Sequence, residues 1–174
     1  MTTGRGAHCL ACASFTPLAD IRAEGIVGRM GAALIAVVAE GSRGRIYIAP
    51  DEVHLETAEV ARPTGTPGGS IAENPRWFSP PQYGLSRFDQ LFTNRQLVAL
   101  TTFSDLVGEA RQKVLEDALA GSLSPDVRLA VGGTGADAYA DAVATYLGMA
   151  VSRLASTNSA LCRWNSAPSK ESVR

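Results

Sequence analysis

A chain of 174 residues, 45% of them hydrophobic and 19% charged, is long enough to bury a core and has the composition of a folded domain. Its formal net charge of -1, from Lys+Arg 16 against Asp+Glu 17, excludes a surface that is basic throughout, so any contact with nucleic acid must be a local patch. The most apolar run, residues 31–39, is far shorter than the roughly 20 residues that span a bilayer, no apolar stretch follows Arg5 as in a signal peptide, and three cysteines do not make a disulfide framework. No membrane partner and a reducing cytoplasm are the expectation.

In chain order, the first feature is Cys9-Leu10-Ala11-Cys12, whose two-residue spacing is that of a zinc knuckle, a tight turn that aims two thiolates at one metal. A structural zinc site takes four ligands, and this one has two. His8 is too close in sequence to reach the same ion in good geometry, and Cys162 lies far along the chain. The apolar and β-branched runs 31–39 and 45–49, separated by Glu40-Gly41-Ser42-Arg43-Gly44, predict a β-hairpin. Pro50-Asp51 opens a short helix to Val60, with Asp51 as its cap. Residues 62–70, RPTGTPGGS, read as loop or linker.

Thr93 is placed to cap a helix that runs to about Leu119, with Leu97, Leu100, Thr101, Ser104, Val107 and Leu115 near helical spacing. Gly121-Ser122 and Pro125 end it. A second long helix, from about Ala136 to Ala155, gathers Tyr139, Val143, Tyr146, Leu147, Ala150, Val151 and Leu154 on one apolar face. The short connection predicts that the two pack antiparallel, with Val107 and Leu147 buried. The expected fold class is α+β: residues 1–61 hold the cysteine pair and hairpin, 62–73 a linker, and 74–174 a mostly helical region with two long antiparallel helices.

The Gly-rich stretch Val131-Gly132-Gly133-Thr134-Gly135 lacks dinucleotide-fingerprint spacing and reads as a loop permitting a tight helix start, with Thr134 and Asp137 as capping residues. In the Pro-aromatic segment, Phe88 and Phe92 are expected in the core. Arg76, Trp77, Arg87 and Arg95 are candidate nucleic-acid contacts, because interleaved arginine and aromatic side chains hold phosphates and unstacked bases. His54, Cys162, Asp137 and Asp141 have no partner of a suitable type at a useful sequence spacing, and read as structural or solvent-facing.

Four stretches carry a resemblance: CLAC; IRAEGIVGRMGAALIAVVAEG at 21–41; NPRWFSPPQYGLSRFDQLFTNRQLVALTTFSDLVGEAR at 74–111; and YADAVATYLGMAVSRLASTNSALCRW at 139–164. Together they resemble the zinc-ribbon-containing adenine-specific DNA methylases of bacteria and archaea, over nearly the whole chain except residues 165–174. The resemblance implies an internal slice of a larger enzyme, lying between its S-adenosylmethionine-binding Gly-rich turn and its catalytic acidic-or-Asn-Pro-Pro-aromatic motif. The Pro80-Pro81 pair here follows Ser79 and precedes Gln82, so it lacks the residue that would hold the target amino group. No catalytic or cofactor-binding residue is assigned, and S-adenosylmethionine is not expected to bind this chain.

Cys9 and Cys12 correspond in the resemblance to the second half of a zinc ribbon. The implied function is a methyltransferase fragment, inactive alone, that shapes DNA recognition or holds lobes together, with DNA and flanking methylase segments in trans as partners. The alternative is a non-catalytic nucleic-acid-binding or interaction module that works with a separate catalytic chain; a truncated product without activity is a third reading.

Overall fold

The computed structural model describes residues 6–74, 76, 78–165 and 172–173. The chain divides into two units, Met1–Val60 with Pro67–Thr93, and Ala61–Thr66 with Asn94–Arg174. The class is α+β: the described residues form four α-helices and short antiparallel strand pairs, with the two longest helices packed together. No helix among the described residues is long and apolar enough to cross a membrane.

In the first unit, β1 (Gly6–His8) pairs with β2 (Phe15–Pro17) around the cysteine turn, and α1 (Leu18–Ile26) follows directly. β3 (Val37–Gly41) and β4 (Gly44–Ile48) form the expected hairpin, turning at Ser42-Arg43 with Val37 opposite Ile48. The first strand begins later than the apolar run from Gly31 suggests. Its partner has only five residues to pair with, and small Gly31, Ala32 and Ala33 have weak strand preference beside the β-branched Val37-Val38 pair.

The helix α2 (Glu52–Ala58) stops two residues short of Val60 but is capped as expected: the Asp51 carboxylate accepts from the His54 amide at 2.9 Å. His54 Nδ1 lies 2.6 Å from Asp51 Oδ1 and 3.3 Å from the Asp51 amide. Both contacts go to Nδ1, which accepts from the amide in a reciprocal capping box when it carries no proton and donates to the carboxylate when it does. His54 thus has a partner that the spacing argument overlooked.

The Pro-Pro segment forms a 3-10 turn, Pro80–Tyr83, that docks on α1. Gly84 (φ +80) and Gly25 approach so closely that a Cβ at either would strike the other segment's backbone, and Arg22 lies over the Tyr83 ring at 5.5 Å. Residues 69–71 are held against 86–88 by Ile71 N to Ser86 O (2.8 Å) and Phe88 N to Gly69 O (3.3 Å), and Ile71 is buried. The following 3-10 turn, Phe88–Leu91, buries Asp89 and leaves Phe88 45% exposed, which corrects the core assignment of Phe88. The ring lies beside Gly69, where there is no side chain to enclose it.

In the second unit, α3 (Asn94–Ala120) and α4 (Ala136–Thr157) extend the expected helices by a residue or two. They run antiparallel: Arg111, late in α3, bonds Asp137 and Asp141 early in α4, while Ala99 and Phe103, early in α3, share a cleft with Leu154 and the adjoining Asn158. Among the described residues of this unit the buried apolar ones are Leu97 and Leu100 of α3 and Ala136, Ala138 and Ala140 of α4, and Leu97 is the largest side chain among them fully removed from water.

The expected burial of Val107 and Leu147 is not observed. Val107 is half-buried and Leu147 is 37% exposed, while Tyr146 is 73% exposed. The reason is the stripe that α4 turns toward α3. It contains Asp137, Ala140 and Asp141, spaced by three and four residues, and this turns Tyr139 and Tyr146 to solvent.

Candidate metal half-site and its surroundings

The turn between β1 and β2 is built by backbone bonds. Cys9 N donates to Ser14 O, and Ala13 N to Cys9 O, both at 2.9 Å. Ala13 takes φ +57, a left-handed conformation that costs a non-glycine residue about 1 kcal/mol and closes the loop directly after the second cysteine. His8 Nδ1 donates to Ala13 O at 3.1 Å, which fixes the tautomer because a carbonyl only accepts, and its ring rests 5.2 Å from the Phe15 centroid.

Both knuckle cysteines are exposed. The Cys12 thiol is 3.0 Å from the Ser14 hydroxyl. Donation from that hydroxyl, then from the Ser14 backbone and the Cys9 thiol, pulls the Cys12 pKa below the ordinary thiol value. A pair of thiols on one turn, one of them eased toward thiolate, suits half of a tetrahedral thiolate site. His8 is committed through Nδ1 to Ala13. Among the described residues no group of three or more His, Cys, Asp or Glu side chains is gathered to hold a metal.

The Gly-rich loop before α4 is already filled. The Asp126 carboxylate accepts from Thr134 N (2.8 Å), Val127 N (2.7 Å) and Gly135 N (3.2 Å), and these amides, Thr134 first, hold its pKa below the usual carboxylate range. A Cβ at Gly135 would collide with Ser124 O, so the glycine lets residues 124–126 lie against the helix start. The helix cap is Gly135 itself, and Asp126, nine residues upstream, supplies the anion expected of a local side chain. This corrects the assignment of Thr134 as cap.

Asp141 is the hub of the second unit's polar contacts. It accepts from Arg111 Nε (2.7 Å), Arg128 Nε (2.7 Å) and Leu129 N (3.1 Å), and Arg111 reaches Asp137 at 3.4 Å. Donation from Arg128, and next from Arg111, holds Asp141 well below the usual carboxylate range. Asp137 and Asp141 therefore have partners, contrary to the expectation. Cys162 also has neighbours, Ser159 Oγ at 3.3 Å and Ser156 O at 3.4 Å. The available signal was Arg111, a single charge in line with the apolar positions Leu97, Leu100 and Val107.

The candidate nucleic-acid contacts are divided between the two units. Arg76 is exposed in a turn closed by Phe78 N to Asn74 O at 2.9 Å. Trp77 lies outside the described residues. Arg87 is half-exposed and paired with the buried Asp89 at 3.2 Å. Arg95 belongs to the other unit and lines a cleft with Gln96, Ala99, Leu100, Phe103, Leu154 and Asn158. At about 260 Å³ that cleft is smaller than the roughly 300–1,000 Å³ of small-molecule sites. Comparison with protein-family models, curated proteins and solved structures finds no match to this chain.

Proposed function

We propose that this chain is a non-catalytic segment of an adenine-specific DNA methyltransferase of the zinc-ribbon type, inactive alone, which helps shape DNA recognition or hold the enzyme's lobes together. The observation that carries the reading is the Cys9–Cys12 knuckle: its turn is fully formed, its thiols are exposed, and it offers half of a zinc ligand set. Cys9 and Cys12 would hold the zinc with a second cysteine pair of the larger protein, as a structural cross-link. DNA would be the substrate of that protein and S-adenosylmethionine its methyl donor. The Pro80-Pro81 turn packs against α1. Arg76, Trp77, Arg87 and Arg95 stand as the DNA-contact candidates.

A second reading, an interaction module serving a separate catalytic chain, is favoured by the apolar side chains left in water. Phe103 and Leu106 of α3 and Tyr139 and Tyr146 of α4 are all exposed, as are Ile46 and Ile48 of a hairpin that would be only marginally stable by itself. Isothermal calorimetry with S-adenosylmethionine tests the first reading. The chain alone should give no saturable heat, and binding at unit stoichiometry would require a cofactor site within it.

A further inference from the structure

We infer that two copies of this chain pair through their knuckles, each contributing Cys9 and Cys12 to one shared zinc ion. The inference rests on reading the knuckle as a metal half-site, and adds the source of the missing ligands when no other cysteine pair is present. Three observations point to a second copy. The thiols are exposed in the turn that joins two paired strands, so a second turn has access to them. The adjacent His8 has Nδ1 engaged with Ala13 O, which leaves Nε2 as its one ligating atom, and among the described residues no group of three or more His, Cys, Asp or Glu side chains is gathered, so ligands to complete the set must come from outside.

The turn itself is also suited to self-association. Residues 9–14 are Cys, Leu, Ala, Cys, Ala and Ser, with no acidic or basic side chain among them, so two turns approach without like-charge repulsion. Leu10 is fully exposed at its apex, an apolar surface that a two-fold contact would cover on both sides. Four thiolates from two turns complete the tetrahedral set that zinc takes in structural sites. Each thiol gives up its proton to buffer on binding, so no oxidant or reductant is involved.

The test titrates zinc into the full chain, kept reduced, while molar mass is followed by light scattering, with cobalt(II) as a spectroscopic stand-in. The expected result is half an equivalent of metal per chain, a doubling of mass in step with loading, the visible absorption of a tetrahedral tetrathiolate cobalt centre, and reversal by EDTA. Cys12→Ser should lose both metal and dimer, and Cys162→Ser neither, with circular dichroism confirming that both variants fold. One metal per chain on a monomer would overturn the pairing and leave the half-site reading standing. No metal at saturating zinc would overturn both, and a dimer that persists in EDTA would overturn the pairing.

Discussion

Arg111 and Asp141, thirty residues apart in sequence, meet at 2.7 Å and fix the register of α3 against α4. The carboxylate's other oxygen takes Arg128, so one acid joins both helices and the connection between them. Asp141 is little exposed and Arg111 only partly so, which raises the strength of the pair above that of a surface ion pair. Replacing Asp141 with Asn should lower the melting temperature at neutral pH by more than replacing Arg128, because it disconnects two arginines at once. Thermal melts of both variants check this.

The same contact sets a pH dependence. Asp141 is held below its unfolded value, so its contribution is complete above about pH 4 and is lost as pH falls toward the depressed folded value. Wild-type melting temperature should therefore fall between about pH 4 and about pH 2 more steeply than that of Asp141→Asn. Parallel slopes for the two proteins would remove the pair as a source of acid sensitivity.

Leu97 is the largest fully buried side chain, in a molecule whose other buried apolar residues are Ile71, Leu100 and three alanines among those described. Leu97→Ala should cost about 2–5 kcal/mol in urea unfolding, against a small change for Leu147→Ala on the exposed side.

Gly84 and Gly25 touch backbone to backbone where the Pro80–Tyr83 turn meets α1. Gly84→Ala adds a methyl group in a left-handed conformation and into Gly25 O, and should lose about 1–3 kcal/mol. The control is Gly108→Ala on α3, where the added methyl meets open space and helix preference improves. That variant should hold or raise stability.

Asp126 stands in for an external anion at the start of α4. Asp126→Ala should speed hydrogen exchange at the Thr134 and Gly135 amides while leaving the middle of the helix protected. Unchanged exchange at both would show that the loop is held by its other contacts.

Much of the fold was legible because it is local. The 3.6-residue pattern located α3 and α4, Asp51 announced α2, and the turn-rich break at residues 40–44 announced the hairpin. The face that α4 turns inward was not legible, since it is carried by Asp137, Ala140 and Asp141, and a pattern search follows Tyr139 and Tyr146 instead. Asp126 was missed for a related reason: its partners are backbone amides of a loop, which residue type does not reveal, and Asp89 was missed because its partner Arg87, two residues away, reads as a surface charge. The tight turn at Cys9–Cys12 was suggested by the two-residue spacing, though an isolated pair of this spacing is a weak signal for a metal.

The central claim is that this chain supplies a non-catalytic part of a DNA adenine methyltransferase. The most direct measurement is transfer of labelled methyl from S-adenosylmethionine to adenine in duplex DNA, with this chain alone, with the cofactor-loop and catalytic segments of a methylase of this type alone, and with all combined. The account predicts transfer only in the combined reaction, and a weaker rate with Cys9→Ser. Transfer by this chain alone, or an equal rate from the other segments without it, would contradict the account.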